Sequence, residues 1–189
     1  MSDAFHKYYQ LCKYSITTLL MMGVLCAASF PERKTQRKAR KKTKITVRGT
    51  SINIHQAEMM VRYYVQYWEL EDLHILVQFT ASLPKQYQGY TQYLEHKNLQ
   101  IRQVTIRISN KISEKQQWLT LAHEMIHVKQ FRRGELVYHG RSAYTWKDQY
   151  CADVRKIAYK QRGWEKEAYA LEGKMLERYQ EAQRLVAKR

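Results

Sequence analysis

From Thr50 onward apolar residues recur at Ala57, Met60, Val61, Tyr64, Val65 and Trp68, the i, i+3, i+4 spacing of a helix with one buried stripe. Ser51 or Asn53 stands where its N-cap belongs. Leu73–Phe79 is short and rich in β-branched residues, with Pro84 soon after, and predicts a strand. A second, weaker strand is expected over Tyr87–Leu94 with a turn near His96–Asn98, and a third over Val104–Ser109, where apolar and polar residues alternate. Ser113 and Gln116 then have the form of a capping box, opening a helix through about Phe131. A last amphipathic helix is expected from Gly163 toward Arg189. Helix, strands and helix in that order make an α+β unit, with a small three-stranded sheet packed on helices.

Ahead of this unit the patterning changes. Residues 14–30 carry no charge, are preceded by Lys7 and Lys13, and end in small residues before Pro31. That order fits a signal peptide or an uncleaved signal-anchor over 1–31. It predicts a membrane-associated or exported protein, the alternative being a cytoplasmic one in which the stretch is a helix of the fold. Residues 32–49 follow as a basic linker, and 50–189 as the globular domain. The whole chain has 33 Lys+Arg against 17 Asp+Glu, a net +16, and nine of those cations lie between Glu32 and Arg48. Such a block is a solvated spacer, or a segment drawn to anionic lipid or to nucleic acid through residues 33–48. Cys12, Cys26 and Cys151 are too few and too scattered for a disulfide framework, and no Cys-x-x-Cys pair exists. Low Gly and Pro exclude a collagen-like or linker-dominated chain. The tyrosines Tyr63, Tyr64 and Tyr67 sit on the first helix, where packing explains them.

The chemistry is concentrated in His123-Glu124-Met125-Ile126-His127. Residues four apart project from one helix face, so two imidazoles can converge on one metal ion. Glu124 lies about 100° round the helix, where it can reach a metal-bound water without coordinating. Zinc accepts His nitrogens and lowers the pKa of bound water toward about 7, and a neighbouring carboxylate can then move its proton. A catalytic zinc takes three protein ligands, and the candidates for the third are His139, Glu165 and Glu167. Glu165 and Glu167 differ by about 200° of rotation on the last helix, so both cannot face one ion.

His123–His127, then Val128-Lys129-Gln130, Gly134-Glu135-Leu136, Trp146-Lys147 and Trp164-Glu165-Lys166-Glu167-Ala168-Tyr169 together resemble the minimal gluzincin metallopeptidases, including SprT-like and phage-encoded members. The resemblance covers residues 50–180. It implies a zincin-like core and a zinc metallopeptidase acting on peptides or proteins, with His123, His127 and Glu165 as ligands and Glu124 as general base. It also implies that the strand before the motif helix borders the cleft and can pair with an extended peptide. His139-Gly140 resembles the third histidine and glycine of the stricter SprT and Spartan type, which makes His139 the second choice of ligand and allows a nucleic-acid-associated protease that acts on proteins bound to DNA, using the basic 33–48 segment. Tyr169 stands where related gluzincins often carry Asp. The alternative to an enzyme is a zincin-like protein that keeps metal without turnover.

Overall fold

The computed structural model describes residues 42–50, 53–84, 86–95 and 101–188. The apolar stretch at 14–30, most of the basic run and the turn near His96–Asn98 lie outside them. No helix among the described residues is long and apolar enough to cross a membrane.

The chain is α+β. Strand β1 (Lys44–Arg48) leads to helix α1 (Ile54–Tyr67), β2 (His74–Thr80), the edge strand β3 (Gly89–Glu95) and β4 (Ile101–Ser109). These strands form a sheet in the order β1-β2-β4-β3, parallel except for β3, which runs antiparallel to β4. Helix α2 (Glu114–Arg132) follows, then a second sheet of β5 (Leu136–Gly140), β6 (Ala143–Trp146) and β7 (Gln149–Cys151), and finally α3 (Gly163–Ala187). Two single turns of 3-10 helix, Val154–Lys156 and Tyr159–Gln161, join β7 to α3.

Three features differ from the sequence expectation. The linker does not extend to residue 49: Lys44–Arg48 is a strand paired with β2, in which Ile45 and Val47 alternate with polar neighbours. Thr43 is already part of the domain, its buried hydroxyl donating to the Leu70 carbonyl at 2.6 Å and accepting from the Leu73 amide at 3.3 Å. The main sheet therefore has four strands instead of three. The strand preceding the motif helix, β4, is paired on both sides, so the sheet's edges are β1 and β3, of which β3 lies against α2. The hairpin sheet was not expected at all, because its strands are too short to show a period.

Only alternate residues of β2 are buried, so the helices cover one face of the sheet. Ile75, Val77, Phe79, Val104, Ile106 and Ile108 meet Met60, Val61 and Tyr64 of α1 and Leu121, Met125 and Ile126 of α2 in the core. Asn53 caps α1, its side chain accepting from the Gln56 amide at 3.1 Å. Ser113 caps α2 through the Gln116 amide at 3.3 Å, but the Gln116 side chain donates to Gln88 instead of returning to the cap. Helix α2 is buried from Thr120 through Gln130 without interruption, since α3 and the hairpin sheet enclose the sides that the main sheet leaves open. That enclosure is what takes His123, Glu124 and His127 out of solvent.

Candidate metal centre

His123 and His127 lie one turn apart on α2, and Glu165 lies in the first turn of α3, where Trp164, Ala168, Met175 and Tyr179 bury the face that meets the rest of the molecule. The three residues are 4–6% exposed. Their donor atoms form a triangle: 3.2 Å between the two Nε2 atoms, 3.3 Å from Glu165 Oε2 to His123 Nε2 and 3.6 Å to His127 Nε2. Ligands at about 2.0–2.1 Å around a tetrahedral zinc lie about 3.3 Å apart, so the triangle has the dimensions of three corners of such a site.

The outer partners decide which nitrogen faces inward. Gln130 is fully buried, and its amide nitrogen donates to Glu167 Oε2 at 2.8 Å and to the Trp164 carbonyl at 3.1 Å. Its oxygen is thereby left to accept from His127 Nδ1 at 2.8 Å. A carboxylate oxygen of Glu172 accepts from His123 Nδ1 at 2.7 Å. With a proton on each Nδ1, both Nε2 atoms are bare in the neutral rings. Glu165 Oε2, buried and accepting no hydrogen bond of normal geometry, points at the same space. Three lone pairs converging in a dry pocket repel one another unless a cation lies between them.

The electrostatics carry the same sign. Burial alone would lower the His123 pKa, but the Glu165 and Glu172 carboxylates overcome it and raise it to about 9. His127 is raised as well, burial again being outweighed by Glu165 and Glu124. Burial works to raise Glu165, yet the two imidazoles hold it down at about 2. The pocket thus draws in positive charge.

Glu124 lies outside the triangle and is hydrogen-bonded to β3. Burial raises its carboxyl pKa against the lowering effects of His127, His123 and Thr91. Its Oε2 accepts from the Thr91 hydroxyl at 2.7 Å. Tyr169, at the position of the expected Asp, lays its ring on His123 with centroids 4.7 Å apart. The carboxylate that meets His123 comes instead from Glu172, seven residues after Glu165 and so on the same helix face. Tyr159, 44% exposed in the turn before α3, has its hydroxyl pKa pushed up by burial and by the Glu165 and Glu124 carboxylates.

Among the alternatives for the third ligand, Glu167 turns to the other side and meets Gln130, Lys129 at 3.4 Å and Lys147 at 3.2 Å. His139 stands exposed on β5, its Nε2 paired with Thr145 Oγ1 at 2.8 Å. The grouping of metal-ligating side chains found among the described residues is His123, His127 and Glu165. Sequence reasoning missed Gln130, Glu172, Thr91 and Tyr159. The first two were legible as i+3 from His127 and i+7 from Glu165, whereas Thr91 and Tyr159 reach the site through tertiary packing alone. No protein-family model, no curated protein and no solved structure matches the chain.

Proposed function

We propose that this protein is a zinc-dependent peptidase of the minimal gluzincin type, with a zincin-like core. The observation that carries the reading is the buried triangle of His123 Nε2, His127 Nε2 and Glu165 Oε2, each histidine held by an outer partner so that its free lone pair faces inward. Two imidazoles and one carboxylate are a donor set suited to zinc, leaving a fourth position open. A zinc ion bound there supplies Lewis acidity and brings the pKa of water down toward about 7.

The chain's own groups do the rest. Glu124 stands beside the triangle, buried and with a raised pKa, suited to take a proton from the attacking water and return it to the leaving amine. Glu172 and Gln130 keep the imidazoles in one tautomer. Burial excludes bulk water and strengthens each of these interactions. Of the two edge strands of the main sheet, β3 is the one next to Glu124, and an extended peptide can add to it as a further strand. An extended peptide is therefore the substrate class, with β3 in the role expected of the strand before the motif helix.

The test combines metal analysis with peptide hydrolysis. Wild-type protein is expected to carry one zinc per chain and to cleave a broad peptide library. Glu124→Gln should keep the zinc and lose cleavage by at least about a hundredfold. Glu165→Ala should lose the zinc. Full cleavage by the Glu124→Gln protein overturns the assignment of the base, and zinc-loaded wild type that cleaves nothing overturns the hydrolase reading.

A further inference from the structure

We propose that Thr91 is the positioning residue of Glu124, so that the edge strand β3 fixes the general base; this rests on the peptidase reading above. The argument begins with register. Gly89, Thr91 and Tyr93 are alternate residues of β3 opposite Ile108, Ile106 and Val104, so they share one face of the sheet. That face runs along α2. Tyr93 packs its ring on Phe131 with centroids 4.2 Å apart, and Thr91 meets Glu124. A Cβ on Gly89 would stand 2.6 Å from Thr120 Cγ2 and 3.0 Å from Glu124 Oε1. A bare glycine and a short hydroxyl-bearing residue are what leave room for the Glu124 carboxylate between helix and strand.

The Thr91 hydroxyl has one proton. It lies 2.7 Å from Glu124 Oε2 and 3.3 Å from the Glu124 carbonyl, and the shorter, charge-assisted contact takes it. One carboxylate oxygen is thereby occupied and its rotamer fixed, and Oε1 is left as the atom that exchanges protons. Main-chain geometry adds a second link. The Ser109 amide donates to the Gln88 carbonyl at 2.8 Å, so Gln88, Tyr90 and Gln92 are the hydrogen-bonded positions of the antiparallel pair. The main-chain amide and carbonyl of Thr91 then point to the open edge, where a substrate strand would pair. Thr91 joins the peptide-binding edge and the base in a single residue.

The experiment compares zinc-loaded wild type with Thr91→Val, which keeps the shape and removes the hydroxyl, and Thr91→Ser, which keeps the hydroxyl. Thr91→Val should lose about tenfold or more in kcat with little change in KM, zinc content or melting temperature, and Thr91→Ser should recover to within about threefold of wild type. Introduced into Glu124→Gln, Thr91→Val should cost nothing further. Unchanged kcat in Thr91→Val, an equal loss in Thr91→Ser, or an additive loss in the double variant overturns the proposal. Crystal structures supply a readout without turnover: Glu124 should leave its wild-type rotamer in Thr91→Val, and an unmoved carboxylate overturns the proposal even if no substrate is found. An inactive wild type would sink the peptidase reading and leave that rotamer comparison to decide Thr91 separately.

Discussion

Glu172 sits on a helix with carboxylates at Glu177 and Glu181, its side chain 18% exposed, and it sets the tautomer of His123 from 2.7 Å. Glu172→Ala removes that partner and leaves all three ligands unchanged. Zinc affinity should fall about 10–100-fold, as read by competition with a chelating dye, and thermal scans of the metal-free chain should show the loss of the part of the His123 stabilisation that Glu172 supplies. Unchanged affinity would mean that Tyr169 packing alone orients the ring. Protons compete for the same site, and the sign of that competition can be worked out. His123 is raised from 6.5 to about 9, so its contribution to the stability of the metal-free fold is complete below pH 6.5 and lost as pH rises through 9. Glu165 is lowered from 4.5 to about 2, so its contribution is present above pH 4.5 and lost as pH falls through 2. Chelator-treated protein should therefore be most stable between these windows and should soften from pH 6.5 to 9. Zinc, which needs bare Nε2 atoms, gains over that same interval. The gap in melting temperature between zinc-loaded and chelated protein should widen from pH 6.5 to 9, and a constant gap would contradict the raised His123 pKa.

Elements with a clear period were legible in the sequence, and those held only by neighbours were not. Helix α1 declares its stripe and its Asn53 cap, and β2 and β4 show their β-branched runs. Helix α2 was found through its capping residue and its motif, and α3 through its amphipathic pattern, but the burial of α2 on all sides also depends on the hairpin sheet, to which no local pattern points. The three strands of that sheet are three to five residues long, and their order is set by Leu136, Val154 and Trp164 packing with Tyr144 and Trp146. At the site, His123, Glu124 and His127 were legible from spacing, and Glu165 was separable from Glu167 only once α3 had a fixed rotation. Gly163 provides that rotation. A Cβ there would run into the Trp146 indole, so the start of α3 is seated directly on β6. Gly163→Ala should push the first turn, and Glu165 with it, off the hairpin sheet, at a cost of about 1–3 kcal/mol. Zinc stoichiometry should fall together with the melting temperature. A stable variant with full zinc would show that the hairpin sheet yields more readily than the helix.

For the molecule as a whole, the open question is where the domain begins. The charge pattern puts that point near Thr50, because cations crowd the chain as far as Arg48. Packing puts it earlier: Thr43 ties the strand entry to Leu70 and Leu73, and β1 covers one edge of β2. Chains beginning at Lys38 and at Thr50 separate the two. Half-burial of Ile45 and Val47 is worth about 1 kcal/mol each, and the buried Thr43 hydrogen bonds about as much again. Losing about 3–4 kcal/mol from a domain of this size lowers the melting temperature by about 10 °C. Removing β1 also leaves β2 as a bare parallel edge, which favours association between chains. The chain from Lys38 should be monodisperse and bind zinc, while the chain from Thr50 should melt about 10 °C lower or aggregate. The metal ligands all lie beyond residue 120, so the shorter chain tests packing without touching the site's chemistry. Equal melting temperatures for the two would return the boundary to the end of the charge run and leave β1 without a role in stability.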